Sequence, residues 1–310
     1  EEAEAQVREG VEVYKKFFDE LGVPYCISRR PDWDKFAGAL YSIAFDMICP
    51  DGRSLQIGTV HNLGQNFAKA FDIVYETEDG KHEHIWQTCY GISGRGIAAV
   101  LIVHGDDHGI VLPPKIAPIQ VVIVPVLYKG KDEQINKICE DVASKLKETK
   151  VRVELDLRKD LTPGNKFYYW ELRGVPIRIE IGPRDVEKNE VTIVRRDTLE
   201  RQTCKLDELI AVVQKLVEQM TEDLRWKAWQ WMKDRVYRVD NLTEARRLLE
   251  KRAGIVEVFW CGKTDCGHEL EGEIKARVLG TPEDVEEKAD GKCVVCGQKA
   301  SSMVRVALAY

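Results

Sequence analysis

The stretch from Thr88 to Val126, TCYGISGRGIAAVLIVHGDDHGIVLPPKIAPIQVVIVPV, constrains this chain more than any other. A polar, glycine-punctuated turn carries Arg95 and opens an apolar helical run, Ile97–Val103, which stops at HGDDHG. Gly91 lacks a Cβ and lets a flat ligand approach the backbone. Arg95 stands where a helix begins, so its guanidinium and the helix N-terminus can hold one anion. The pattern favours a nucleotide polyphosphate site over a packing motif.

The same stretch resembles motif 3 of class II aminoacyl-tRNA synthetases, followed by the junction into an anticodon-binding domain. The segment HGDDHGIVLPPKIAPIQVVIVP is similar to prolyl-tRNA synthetases of the archaeal type. The resemblance covers essentially the whole chain. It implies that Glu1 lies just after motif 2, so that motifs 1 and 2 are outside these residues.

The fold class that follows is α/β and α+β in three parts. We predict part of a class II catalytic domain, with an antiparallel sheet and motif 3, over residues 1–116. An α/β anticodon-binding domain is expected over 117–205, where strand and helix patterns alternate. A C-terminal α+β zinc-binding domain is expected over 206–310.

Local patterns predict several of the elements. LQIGTVH alternates, which would place Gln56, Gly58 and Val60 on one face of a strand and Thr59 and His61 on the other. The other predicted elements are a helix at Val7–Leu21, strands at Ser54–Thr59 and His84–Thr88, and a helix from Leu206 to about Val239.

Composition bounds the function classes. The chain has 310 residues, 44% of them hydrophobic, and a net charge of −6. Its longest apolar stretches, Ile97–Val103 and Ile119–Tyr128, are far shorter than the roughly 20 residues of a membrane-spanning helix. With no signal-peptide pattern, we expect a cytoplasmic protein without a membrane partner. The acidic balance is unusual for an RNA binder, but Lys145–Lys205 contains 15 basic and 11 acidic residues, which makes that segment locally basic.

Four of the nine cysteines have the spacing of a metal site. Cys261 and Cys266 are separated by four residues, Cys293 and Cys296 by two, and 26 residues lie between the pairs. Four thiolates in Gly-rich turns suit one tetrahedral, structural Zn²⁺ with no open position. His268 is a possible substitute ligand, and reduced, unliganded cysteines are the alternative. The resemblance supports zinc, because the family has a C-terminal zinc domain.

The candidate substrate-binding residues come from the resemblance. Read from residue type alone, His61 would be a core histidine and Thr59 a strand former. The resemblance implies instead that ATP and proline are held by separate groups of residues. ATP would be bound by Gln56, Thr59 and Arg95, and proline by Phe36, His61, Gly91 and Ser93.

Arg95 is the predicted catalytic residue. A guanidinium over a triphosphate can bind two oxygens and offset charge as pyrophosphate departs. The alternative is a solvated arginine at a helix end. HGDDHG could be a metal site, but we favour a turn, because Asp and Gly dominate tight turns; its function is left open.

Lys166–Asp185 is the candidate tRNA-binding segment. Aromatic and charged residues are interleaved there, which we interpret as two strands joined by an RGVP turn. Anticodon bases are read by stacking and by edge contacts, although such charges can also merely solvate an outer face. The resemblance assigns Glu171, Arg178 and Arg184 to guanines of the anticodon. Phosphate contacts are expected instead from Arg195 and Arg196.

The chain ends at Tyr310, after an apolar strand pattern. A fraying tail is the general expectation. In the family that it resembles, a terminal tyrosine folds back towards the active site. Tyr310 is therefore predicted to support the site from behind the residues that touch substrate.

The resemblance implies an aminoacyl-tRNA ligase that activates proline with ATP and Mg²⁺ and transfers it to tRNA(Pro). DNA is not expected as a partner. A homodimer is expected from the family alone. Two alternatives remain: a sister class II synthetase for threonine or histidine, and a non-catalytic, synthetase-like tRNA-binding protein.

Overall fold

The computed structural model describes residues 1–127, 132–285 and 289–310. The chain packs as two compact units. The first contains Glu1–Asp19, Val23–Ala99 and Trp229–Tyr310, and the second contains Glu20–Gly22 and Val100–Ala228. The three-part division at 116 and 205 stays a prediction.

The helices are α1 Glu2–Glu20, α2 Asn66–Ala70, α3 Arg95–His104, α4 Asp132–Glu148, α5 Pro163–Leu172, α6 Pro183–Lys188, α7 Leu209–Lys233, α8 Leu242–Glu250 and α9 Thr264–Ile274. The strands are β1 Cys26–Arg29, β2 Tyr41–Ile48, β3 Ser54–Gly64, β4 Val74–Glu76, β5 His82–His84, β6 Gln87–Ile92, β7 Val121–Pro125, β8 Val153–Leu155, β9 Ile177–Ile181, β10 Glu190–Arg195, β11 Arg201–Lys205, β12 Val236–Arg238, β13 Ile255–Trp260, β14 Arg277–Pro282 and β15 Ser302–Ala307. In the part of the chain described, no helix has the length and apolar character needed to cross a membrane.

An eight-stranded sheet organises the first unit, in the order β12-β13-β15-β14-β1-β2-β3-β6. All neighbours are antiparallel except β12 and β13. Helix α1 covers one face of β2 and β3. Its Tyr14 and Phe18 pack on Phe45, and a Cβ added to Gly58 would lie 3.2 Å from Tyr14. That face is therefore closed by the helix.

A bulge in β3 changes which residues share the opposite face. Phe45 pairs with Gly58, but the next residue, Asp46, pairs with Gln56, so Ile57 is the extra residue. A bulge shifts the alternation of side chains by one position. Gln56 therefore lies on the face of Thr59 and not on that of Gly58, and the alternation predicted for LQIGTVH is wrong at this position.

The C-terminal strands belong to the same sheet as the N-terminal ones. Strand β1 pairs with β14 through Ser28↔Pro282 and Arg29↔Thr281. The side chain of Arg305 is buried, and its Nη1 donates to the carbonyl of Ile27 at 2.9 Å. One apolar cluster also joins these strands; it contains Cys26, Ile48, Met232, Ile255, Leu279 and Ala307. The first and last parts of the chain thus share one core.

The second unit contains a five-stranded mixed sheet, ordered β11-β10-β9-β7-β8. Strand β7 is parallel to both β8 and β9. It is buried on both sides, because α4 and α7 contribute to the core on one face, and Trp170 of α5 packs against Val122 and Val124 on the other. Such burial explains the continuous apolar run of its sequence.

Some predicted elements differ from those in the structure. The helix predicted from Leu206 to about Val239 is α7, which ends at Lys233, and Val236–Arg238 form strand β12 instead. KFYYWEL is not a strand: Thr162 caps α5, its hydroxyl accepting from the N–H of Asn165 at 3.3 Å, and Pro163 occupies the first turn. These are strong helix-start signals. The strand predicted at His84–Thr88 is instead the end of β5 and the start of β6, with Ile85 and Trp86 between them.

Candidate active site

The open face of β2, β3 and β6 gathers most of the predicted substrate-binding residues. Antiparallel partners share a face, and the register pairs Ser42 with His61 and Thr59 with Gly91. The bulge adds Gln56 to this face. The predicted ATP-binding and proline-binding residues of β3 and β6 are thus brought together in the first unit.

Phe36 and His61 form an aromatic wall. Their ring centroids are 5.0 Å apart at an interplanar angle of 38°. A hydrogen bond of 2.7 Å joins His61 Nδ1 to Ser42 Oγ, which also accepts the N–H of Phe36 at 3.0 Å. His61 is buried and Phe36 is 48% exposed, so one side of the wall is open. Burial lowers the pKa of His61, which keeps the imidazole neutral near pH 7.

Sequence reasoning missed Ser42. Its hydroxyl is the link between the two rings, and it is fully enclosed. Nothing in KFAGALYSIAF marks this serine, because its role depends on the pairing of β2 with β3. The geometry alone identifies it.

Gly91 lies against Thr59. A Cβ at position 91 would be 2.9 Å from Thr59 Oγ1, which is closer than real contacts allow. The absence of a side chain at Gly91 therefore leaves room for the Thr59 hydroxyl, and a larger residue at 91 would push Thr59 aside. A floor without a side chain and with a hydroxyl beside it suits the close approach of a small polar ligand.

Arg95 begins α3, and Ser93 shapes the turn before it. The backbone N–H of Arg95 donates to Ser93 Oγ at 3.2 Å. Its guanidinium Nη1 donates to the carbonyl oxygen of Gln56 at 3.4 Å, which brings it to the edge of β3. The side chain is exposed. Within residues 1–127, 132–285 and 289–310, no carboxylate forms an ion pair with it.

Tyr310 is held at the start of β3. Its hydroxyl donates to Asp51 Oδ2 at 3.0 Å, and its backbone N–H donates to the Ser54 carbonyl at 3.2 Å. The guanidinium of Arg53 lies 5.2 Å from the ring centroid. The tail is anchored two residues before Gln56 and does not fray. Its predicted supporting role stays a prediction.

The four predicted cysteines meet at one point. Their sulfur atoms all lie within 4.8 Å of one another, and Cys261 and Cys296 are 3.8 Å apart. With Zn–S bonds of about 2.3 Å, a tetrahedral site has S–S edges of about 3.8 Å. Cys261 and Cys296 are each followed by a glycine, and Gly262 and Gly297 have φ of 83° and 70°.

The four thiols differ in acidity. Burial raises the pKa of Cys261, and it raises the pKa of Cys266 to about 12. Burial acts to raise the pKa of Cys293, but the backbone N–H groups of Cys296 and Val295 outweigh it and lower that pKa to about 7. A thiol that ionises readily is a good zinc ligand. Within the described ranges, no other group of His, Cys, Asp or Glu has metal-site geometry.

HGDDHG is a turn, as favoured from sequence. Asp106 and Gly109 exchange backbone hydrogen bonds. The Asp106 carboxylate accepts two hydrogen bonds from the buried Arg196 guanidinium, at 2.6 and 2.8 Å. This contact lowers the pKa of Asp106. Arg195 is likewise paired with Asp197 and Asp223. Both Arg195 and Arg196 thus make ion pairs within the protein, which argues against the phosphate contacts expected for them.

The predicted anticodon residues fall on three elements of the second unit. Glu171 lies on α5 and Arg178 on β9, where Nη1 of Arg178 contacts Glu171 Oε1 at 2.6 Å. Arg178 Nε also donates to Glu180 Oε1 at 2.9 Å, and its guanidinium stacks 4.2 Å from the Phe167 ring. Arg184 is exposed in the first turn of α6, and among the described residues it has no ionic partner. Glu171 and Arg178 are brought together; Arg184 stands apart from that pair.

Comparison with known proteins covers nearly all of the chain. Residues 1–104 match the family model "tRNA synthetase class II core domain (G, H, P, S and T)", 120–216 match "Anticodon binding domain", and 242–310 match "Prolyl-tRNA synthetase, C-terminal". The crystal structure of prolyl-tRNA synthetase from Cryptosporidium parvum, complexed with L-proline and AMP, superposes with a TM-score of 0.92. It is 34% identical and is matched over 100% of this chain and 67% of its own. The chain belongs to the prolyl-tRNA synthetase family.

Curated relatives of this family agree. Proline–tRNA ligases from Metallosphaera sedula and Pyrococcus horikoshii are 52% and 48% identical over 100% of this chain. The chain spans 65% of the length of each. The resemblance to archaeal-type prolyl-tRNA synthetases and the class II fold are thereby confirmed, whereas the role of each site residue stays a prediction.

Proposed function

We propose that the protein is a proline–tRNA ligase. A carboxylate oxygen of proline attacks the α-phosphorus of ATP, the bond to the bridging oxygen breaks, and pyrophosphate leaves. The prolyl group then passes from the adenylate to a terminal ribose hydroxyl of tRNA(Pro), releasing AMP. The observation that carries this proposal is the shared sheet face of the Phe36–His61 wall, Gln56 and Thr59, with Arg95 at its edge.

The two halves of that face suit the two halves of a prolyl-adenylate. The aromatic wall is neutral and open on one side, which fits an apolar, five-membered ring. Gln56, Thr59 and Arg95 offer amide, hydroxyl and guanidinium groups to the nucleotide. The structural relative is described as a complex with L-proline and AMP, and this supports the same pair of ligands here.

Arg95 is assigned to catalysis through charge. As the bond to pyrophosphate lengthens, negative charge accumulates on the departing oxygens, and a fixed guanidinium stabilises it. Mg²⁺, when bound to the phosphates, supplies further charge neutralisation. Positioning and electrostatics thus account for the step without a protein nucleophile.

The four cysteines are assigned to a structural Zn²⁺. Four thiolates complete a tetrahedral shell and leave no place for a substrate or water. The locally basic segment Lys145–Lys205, with the exposed Arg184, is assigned to the anticodon of tRNA(Pro). A cytoplasmic homodimer is proposed from the family alone.

Amino-acid-dependent ATP–pyrophosphate exchange on the full-length protein tests the activity. Proline should be run beside cysteine, alanine, threonine and histidine. We expect exchange with proline. Exchange with threonine or histidine alone would make the protein a sister synthetase, and exchange with none of them would leave a tRNA-binding protein without catalysis.

A further inference from the structure

The connection between β1 and β2 carries Phe36; we name residues 30–40 the Phe36 loop. Its first half is inserted among residues from the C-terminal segment. The Trp33 ring lies 4.7 Å from that of His268 and makes an edge contact with that of Trp260 at 6.1 Å and 82°. Trp33 also packs against an apolar cluster that includes Leu270. A residue of the amino-acid pocket is therefore three positions from a side chain embedded in the C-terminal part.

The fit around Trp33 is tight. A Cβ added to Gly267 of α9 would lie 2.1 Å from Cη2 of the indole. The indole Nε1 is buried, and no acceptor for it occurs in the segments that the structure describes. A buried N–H without a partner is costly. The ring is thus placed by packing alone, and its position depends on Gly267, His268 and Trp260.

The residues that hold Trp33 are neighbours of the cysteine cluster. Trp260 directly precedes Cys261, and Gly267 directly follows Cys266. Any change that moves these two cysteines relative to each other therefore moves the walls of the Trp33 pocket. The indole therefore lies against residues adjacent to both cysteines of the first pair, Trp260 and Gly267.

The rest of the Phe36 loop is fixed by hydrogen bonds on both sides of Trp33. Arg30 anchors one end, because its guanidinium donates to the Leu279 carbonyl at 2.6 Å and to Asp46 at 2.7 Å. The N–H groups of Asp34 and Lys35 both donate to the Pro31 carbonyl at 3.0 Å, which closes a turn around Trp33. The N–H of Phe36 then donates to Ser42 Oγ. Few free torsions remain between the indole and the Phe36 ring.

We propose that Trp33 is a positioning residue for the amino-acid pocket. It fixes the Phe36 wall to the cysteine-bearing C-terminal segment, so the affinity for the amino acid depends on the packing between α9 and the Phe36 loop. This proposal rests on the proposed function for the identity of that amino acid as proline.

A rescue experiment separates positioning from general stability. Gly267→Ala adds the methyl group that collides with the indole, and Trp33→Phe removes the part of the ring that it meets. In the full-length protein, we expect each single variant to raise the KM for proline about fivefold while the KM for ATP changes less than about twofold. The double variant should return towards wild type, and zinc content, by elemental analysis, should stay constant in all three.

A second readout does not require activity. In Gly267→Ala, hydrogen–deuterium exchange should increase in peptides containing the amides of Phe36 and Ala39, which donate to Ser42 Oγ and to the Phe36 carbonyl. Trp226→Phe, at an exposed tryptophan of the second unit, is the matched control and should change neither readout.

Three results would overturn the proposal: an unchanged KM for proline in Gly267→Ala, equal rises in both KM values, or a double variant worse than either single one. If the wild-type protein lacked proline-dependent exchange, the proposed function would fail instead. The exchange of the Phe36 and Ala39 amides would still decide whether the link through Trp33 exists.

Discussion

Arg95 stands at an unfavourable place for a cation. The N-terminus of a helix carries partial positive charge, so a guanidinium in the first turn of α3 is not stabilised by the helix. The hydrogen bond from its guanidinium to the Gln56 carbonyl is long at 3.4 Å. An anionic ligand would compensate for both charges. This is the electrostatic reason to expect phosphate there.

Replacing Arg95 tests that reasoning. Arg95→Ala should lower the rate of proline-dependent ATP–pyrophosphate exchange by about 10²–10³-fold, the usual loss for one stabilising donor. Arg95→Lys should recover only part of the rate, because an ammonium lacks the two-pronged geometry. Binding of tRNA, measured by filter retention, should be unchanged.

Arg8→Ala is the matched control, because Arg8 is an exposed arginine of α1. It should exchange at the wild-type rate. An Arg95→Ala protein with wild-type exchange would remove Arg95 from catalysis.

His61 gives a prediction about pH. Burial lowers its pKa below the ordinary value of about 6.5. The folded state therefore keeps a neutral imidazole down to lower pH than the unfolded state does, and the stability cost of protonation begins only as pH falls below 6.5. Proline affinity, measured by calorimetry without ATP, should be constant from pH 8 to 6.5 and weaken below that range. A midpoint at or above 6.5 would contradict this.

Some helices and strands follow from the pattern of residue types, and others do not. The apolar period of α1 and the buried run of β7 follow directly from residue types. The bulge at Ile57 does not, because one extra residue in a strand leaves no mark on composition, yet it decides that Gln56 faces Thr59. For α5 the signal was present: Thr162 and Pro163 begin a helix, but the interleaved aromatics favoured a strand.

The second unit offers a contrast between two arginines. Arg178 is buried between Glu171 and Glu180, so Arg178→Ala should destabilise the fold by about 3 kcal/mol, because Glu171 loses its ionic partner and Glu180 keeps only Arg201. Arg184 is exposed, so Arg184→Ala should leave the unfolding temperature unchanged and reduce aminoacylation of tRNA(Pro).

Thermal unfolding and charging assays on both variants separate these effects. Proline-dependent exchange is the internal control, and Arg184→Ala should not alter it. If exchange and charging fell together in Arg184→Ala, the anticodon assignment would be wrong.

At the scale of the whole molecule, the C-terminal strands join the N-terminal sheet. Sequence predicts the cysteine cluster from spacing alone, because the ligands are close in the chain. It could not predict that β14 pairs with β1, since Ser28 and Pro282 are separated by most of the chain. Local patterns specify elements, whereas partners of this kind are set by tertiary packing.

Loss of the metal should therefore lower the stability of the whole first unit and not only that of the C-terminal segment. Cys293→Ser should release zinc and lower the unfolding temperature, because the remaining thiolates no longer form a closed shell. Since β13, β14 and β15 share a sheet with β1, we expect a single shifted transition in calorimetry and not a separate early one. Cys204→Ser, outside the cluster, should keep its zinc. Unchanged zinc in Cys293→Ser would contradict the assignment.

In the proposed site, one sheet face holds proline and the nucleotide together. Calorimetric binding of a non-hydrolysable prolyl-adenylate analogue to the full-length protein tests it most directly. We predict that the analogue binds far more tightly than proline or AMP alone and competes with both, and that Gln56→Ala and Phe36→Ala each weaken its binding. Binding no tighter than that of either half, or unaffected by both substitutions, would contradict a shared site.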